Sequence, residues 1–162
     1  MGVLPLNTSA RNAWLLVLAW LGLILVGSGD VLSGTHTWRF LEPLLHWLWP
    51  TLTPDRLWRA SGAIRKCGHL TEFALLAVLA WRAWVLTLPR RTYGPGLRPA
   101  VRAFAFAVLC AAVDEWRQSF VPSRTGSLGD VLIDATGAGL GLLTVCAFLN
   151  WRARRRAHSL GA

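Results

Sequence analysis

Charge is scarce in this chain, and acidic charge is the scarcest. Only 15% of the 162 residues are charged, with 17 basic and eight acidic side chains. An ordinary soluble domain carries about a quarter of its residues charged, so this composition argues against one. Cysteine is scarce too. Cys67, Cys110 and Cys146 stand apart in separate apolar segments, which supplies neither a disulfide framework nor a metal-ligand spacing. Small apolar packing is their expected role. Proline is kept out of the predicted helix interiors: Pro89 follows one apolar segment and Pro99 opens the next, as a residue without an N–H requires.

Apolar and aromatic residues take the place of charge. The hydrophobic fraction is 54% and tryptophan occurs ten times, with a mean hydropathy of +0.42. That profile is a membrane protein's. Trp14, Trp81, Trp84, Trp116 and Trp151 fall at predicted helix ends, and Trp38, Trp47, Trp49 and Trp58 fall in one long loop; amphipathic rings favour the membrane interface. The net charge of +9 raises nucleic acid as a partner, but the basic surplus borders apolar segments, as membrane topology requires. Membrane lipids, not nucleic acid, are the expected partners.

Length and periodicity predict one all-α domain, 1–162, with four spans at Asn12–Gly29, Cys67–Leu88, Pro99–Phe120 and Asp130–Trp151, each near the 20 residues a crossing needs. The alternative for the first segment is a signal peptide with small residues near Gly27 and Ser28; its weak positive flank argues against that. With the N-terminus inside, ten arginines (11, 82, 90, 91, 98, 102, 152, 154, 155 and 156) and no acid lie on the cytoplasmic side. All eight acids then lie outside. The excess of inner arginine predicts N-in, C-in topology, with a basic cytoplasmic tail from 152 to 162. In the first outer loop, Trp38, Leu41, Leu44, Leu45 and Leu48 recur at helical spacing opposite Arg39, Glu42 and His46. This predicts an amphipathic interfacial helix over His36–Trp49. Pro50 ends it, and Thr53-Pro54 reads as N-cap and N1 of a short second helix carrying Leu57 and Trp58.

Five acids fall in two polar runs, Arg65–Phe73 and Asp114–Asp134. Ionisable groups at the edge of the hydrocarbon are costly unless paired, which marks them as a candidate site. Between Arg102 and Asp114 only Ala103–Val113 is uninterrupted and apolar, about 17 Å of helix, so Asp114 and Glu115 enter the outer membrane region. Lys66, His69 and Glu72 form one stripe at i, i+3; Asp114 and Gln118 pair at i, i+4, as do Asp130 and Asp134. Gly137 and Gly141 continue the last stripe as a close-packing motif. Pro122–Ser127 reads as a tight re-entrant turn, with Arg124 pointing back at the acids and organising them ahead of Arg117.

The pattern Lys66-x-x-His69-x-x-Glu72-Phe73, then Asp114-Glu115-x-x-Gln118-x-Phe120-x-Pro122-x-Arg124, then Asp130 with Gly137 and Gly141, resembles the VanZ-like family. That family is named for a protein associated with resistance to the glycopeptide teicoplanin. The resemblance covers about residues 28–141 and implies a small multi-span protein of the bacterial cytoplasmic membrane. The chain departs from the pattern at Ser123, where the family often has glycine, and at Asp134, where it often has asparagine.

Several chemistries suit this set. Recognition of a lipid-linked cell-wall precursor, or of a glycopeptide, would use Arg124, Lys66 and the acids, since arginine's planar fork suits phosphate and carboxylate. A lipid phosphatase is the alternative: Ser123-Arg124-x5-Asp130-x3-Asp134 copies a phosphatase spacing with Asp130 in the nucleophile's place, although no Pro-Ser-Gly-His motif accompanies it. Metal-assisted hydrolysis through His69, Glu72, Asp114 and Asp130 is opposed by Lys66 and Arg124, so no metal and no cofactor are expected. An ion-paired structural plug and proton transport complete the set. Apolar packing holds a bundle at lower cost than desolvated charge does, which favours a task for these residues.

Overall fold

The computed structural model describes residues 8–29, 34–88, 97–121 and 126–160, and every regular element among them is helical. The elements are α1 (Thr8–Gly27), α2 (Gly34–Leu48), α3 (Pro54–Thr87), α4 (Leu97–Gln118) and α5 (Leu128–Leu160). The all-α class therefore matches the expectation from sequence, with three differences in where helices begin, end and bend.

The largest difference is α3. The short second helix and the second span are one element of 34 residues, about 51 Å long at 1.5 Å per residue. Thr53 sits extended before Pro54 at the first helical position, without a side-chain cap bond. From there no proline interrupts the chain before Pro89. The polar run Arg56–Lys66 breaks the apolar pattern but not the helix, because backbone hydrogen bonds do not depend on side-chain polarity. Second, α5 continues past Trp151 through the arginine run to Leu160. Third, Pro43 lies inside α2, against the expectation that prolines avoid helix interiors. It is exposed there, and so is Arg39, whose carbonyl loses its helical partner; the unpaired oxygen stays open to solvent or lipid headgroups.

Helix α3 is the centre of the bundle. It packs on α1, α2, α4 and α5, most extensively on α5. Contacts at the two ends give the directions. At one end, Trp14 near the start of α1 donates Nε1–H to Thr87 Oγ1 near the end of α3, at 3.1 Å. Trp14 also meets Trp84 edge-on, with ring centroids 5.0 Å apart, and Phe106 of α4 at 6.3 Å. At the other end, Ser28 just after α1 bonds Asp114 near the end of α4. Helices α1 and α4 therefore run one way, and α3 and α5 the other. Trp14 and Trp84 are half-buried in this aromatic joint, with the Arg102 guanidinium 5.2 Å above the Trp84 ring, so they serve packing rather than an outer belt. Trp47, Trp49, Trp58, Trp116 and Trp151 do face outward.

Small residues make the interior tight. Ala77, Ala80 and Ala83 of α3, Ala103, Ala107 and Ala111 of α4, and Ala138 of α5 are fully buried beside Phe73 and Leu76. Small side chains let helix backbones approach, the usual solution where lipid removes the hydrophobic drive for association. The outer surface is correspondingly greasy: Leu15, Leu18, Leu23, Leu109, Leu132 and Leu143 are all exposed. Water does not tolerate apolar surface on this scale in a monomer; lipid does.

By length and composition, three described helices can cross a membrane: Thr8–Gly27, Pro54–Thr87 and residues 128–156 of α5. Helix α4 is not among them, because five of its 22 residues are charged. Its 22 residues nonetheless measure about 33 Å, and it lies beside both α3 and α5. Helix α2 packs on the first turns of α3, with Trp38 edge-on to Trp58 at 5.1 Å.

Candidate functional site

The acids at the far end of the bundle from the Trp14 joint separate into two groups. In the first group both Asp114 oxygens are bonded, although Arg117 Nε beside them has no partner. Asp114 is 1% exposed. Its Oδ1 accepts from Ser28 Oγ at 2.6 Å and from Arg117 Nη2 at 3.0 Å, and its Oδ2 accepts from Gln118 Nε2 at 2.8 Å. Arg117 Nη2 also donates to the Leu25 carbonyl at 2.9 Å and to Ser28 Oγ at 2.6 Å. These bonds tie the end of α1 to the end of α4. The expected Asp114–Gln118 pair is present, whereas Ser28, with no periodic signal of its own, was not expected.

Arg117 is thus the cation that compensates Asp114 among the described residues. Spacing explains it: at i, i+3 the two side chains share one helix face, and α1 ends alongside. Pro122, Ser123, Arg124 and Thr125 lie outside the described residues, so the Arg124 expectation and the phosphatase-like Ser123-Arg124 pair are not addressed by the geometry.

Glu115 fastens the start of α5. Its Oε2 accepts from the Ser127 backbone N–H at 2.9 Å, while its Oε1 takes a longer bond from Gln118 Nε2 at 3.4 Å. Gly126 makes this possible, because a Cβ there would run into the Glu115 carbonyl. Below this fastening, α5 meets α3 at two glycines. A Cβ on Gly137 would collide with the Leu70 carbonyl, and one on Gly141 would lie 2.6 Å from the Ala74 carbonyl.

The second group is unsatisfied. Asp134, also 1% exposed, has no hydrogen-bond partner on either carboxylate oxygen, and His69 Nδ1 has none either. His69 Nδ1 and Asp134 Oδ1 stand 3.8 Å apart, beyond hydrogen-bond range. The His69 side chain is 19% exposed, so it forms the rim over a deeper carboxylate. Buried polar atoms are nearly always paired, and an exception of three atoms in one place asks for an explanation.

The remaining expected site residues surround these two. Glu72 is half-buried one turn below His69, and its backbone carbonyl takes the Trp20 Nε1–H at 3.0 Å. Asp130 is half-buried in the first turn of α5. Lys66 is exposed, as is Phe120, while Phe73 belongs to the core. Among the described residues no three His, Cys, Asp or Glu side chains are grouped to hold a metal ion.

The comparison with protein families agrees with the residue pattern. The VanZ/LLP1 family model matches residues 13–149. No curated protein and no solved structure matches the chain. The matched region runs from the start of α1 through most of α5 and contains both groups of acids. The chain belongs to the VanZ/LLP1 family, and with three helices apolar enough to cross a bilayer it is a membrane protein of that family.

Proposed function

We propose that this protein spans the bacterial cytoplasmic membrane four times with both termini inside, and that it uses the Asp134–His69 site to recognise a cell-envelope ligand from the outer face. The ligand class is a lipid-linked cell-wall precursor or a glycopeptide directed against one, and its capture would contribute to glycopeptide resistance. Lying antiparallel to α3 and parallel to α1, helix α4 fits the fourth span, its five charges sitting near its ends. The positive-inside rule supports the orientation: the ten inner arginines gather at the Trp14 end by sequence position, and the described acids at the other. Labelling tests it. In a cysteine-free background, Leu97→Cys and Ser159→Cys should resist an impermeant maleimide in intact cells, and Asp55→Cys should react. Reaction at Leu97→Cys from outside would reject this topology.

The observation that carries the recognition reading is the unsatisfied Asp134–His69 pair. A structural carboxylate would be bonded on both oxygens, as Asp114 is. Here instead three polar atoms wait, and a ligand bearing hydrogen-bond donors would complete them. Purified protein in lipid nanodiscs is expected to bind a lipid-linked precursor or teicoplanin saturably. Asp134→Asn should weaken that binding at least about tenfold, the equivalent of one charge-assisted hydrogen bond. Phosphate release from undecaprenyl or glycerolipid phosphates, abolished by Asp130→Asn with folding kept, would replace recognition by hydrolysis.

A further inference from the structure

We infer that the group seated in this site is a primary ammonium, held by Asp134 Oδ1, Asp134 Oδ2 and His69 Nδ1. The inference rests on the recognition reading and specifies what the ligand must present. Three unpartnered polar atoms lie together, and all three accept when Asp134 is ionised and the imidazole carries its proton on Nε2. An ammonium offers three donors and no acceptor. The 3.8 Å between Nδ1 and Oδ1 is too long for a bond between them, but it suits two acceptors that share one donor nitrogen about 2.9 Å from each.

Charge points the same way. The carboxylates bearing on Asp134 are Glu115, then Asp114, Asp130 and Glu72. Of the described cations, Arg117 is already engaged by Leu25, Ser28 and Asp114, while Arg65 is half-buried and Lys66 exposed, each about one turn outward of His69. Among the described residues, an anion entering here meets Asp134, Glu115, Asp130 and Glu72. A cation meets a site lacking only donors, and its pairing there is stronger than in water because the surroundings are poorly solvated.

The test uses simple probes on the full chain in nanodiscs, read by calorimetry at neutral pH: n-butylamine, N-butylacetamide, butyltrimethylammonium and butyl phosphate. Butylamine should bind saturably. The acetamide, which loses the charge, and the trimethylammonium, which keeps the charge but loses the donors, should each bind at least about tenfold more weakly. Butyl phosphate should not bind. Asp134→Asn and His69→Phe should each weaken butylamine by a similar factor. If either variant fails to fold, the wild-type ranking of the four probes still decides. Equal binding of the trimethylammonium would overturn the donor geometry. Binding of butyl phosphate in preference to butylamine would overturn the ammonium while leaving envelope recognition standing, as would silence from all four probes beside saturable binding of the precursor or teicoplanin. Silence from the probes, the precursor and teicoplanin together would remove both.

Discussion

Alanine at Gly137 should unseat α5 from α3, with a loss of about 3 kcal/mol, the upper end of what overpacking costs. The reason is the kind of atom in the way. The new Cβ meets the Leu70 carbonyl and Cα, backbone that cannot rotate aside as a side chain would. Gly141→Ala meets the Ala74 backbone at 2.6 Å and should show a smaller loss of the same kind. Gly139 lies between them in sequence, yet its Cβ would find only Phe104 Cε2 at 3.8 Å. That is ordinary contact, so Gly139→Ala should hold or gain about 0.5–1 kcal/mol from the lost backbone freedom of glycine. Thermal stability followed by size-exclusion in detergent ranks the three. If Gly137→Ala were as stable as Gly139→Ala, the close approach of α5 to α3 would be wrong.

The second large effect is expected at Arg117. Truncation to alanine leaves Asp114 buried with a cation missing, a change that typically costs 3–5 kcal/mol. Because the Arg117 side chain is 38% exposed, solvent relieves part of this and about 3 kcal/mol is the expected figure. Arg117→Lys should recover only part, since the three bonds all leave the terminal Nη2 and the shorter lysine side chain brings its ammonium less far toward Leu25, Ser28 and Asp114. Adding Asp114→Asn to Arg117→Ala should restore stability toward the wild type, because the uncompensated charge goes. The surface pair Arg59–Asp55 is the contrast. Its side chains are 78% and 66% exposed, and Arg59→Ala should change stability by less than about 1 kcal/mol. Equal losses at Arg117 and Arg59 would mean that Asp114 is well solvated.

What the sequence revealed, and what it hid, follows from the range of each interaction. Spacings within one helix were legible: Asp114 with Gln118 at i, i+4, and Gly137 with Gly141 on one face, are set by helical geometry alone. Pairings between helices were not. Ser28 meets Asp114 across 86 residues, and a serine beside two glycines carries no periodic signal. That Arg117 also reaches Leu25 and Ser28 turned on where α1 ends, which no local pattern encodes. The continuity of α3 was hidden by hydropathy, which records where a helix meets lipid and not where it begins. Helix α4 shows the converse. Its length and neighbours suit a crossing, but its charges keep its composition below that of the other three. The split between bonded and unbonded acids was legible in part: Asp114 has Arg117 at i+3 and Gln118 at i+4, whereas Asp134 has Gly137 and Ala138 there; what stands across from each on the neighbouring helices was not.

The unbroken length of α3 has a mechanical consequence. Trp58, against which α2 leans, and His69, the rim of the unsatisfied site, lie 11 residues apart on one rod, about 17 Å along a single axis. A rod without a joint passes tilt and rotation along its whole length. A tilt imposed where α2 leans on Trp58 is therefore carried to His69, just before the glycine contacts at Leu70 and Ala74 pin the rod to α5.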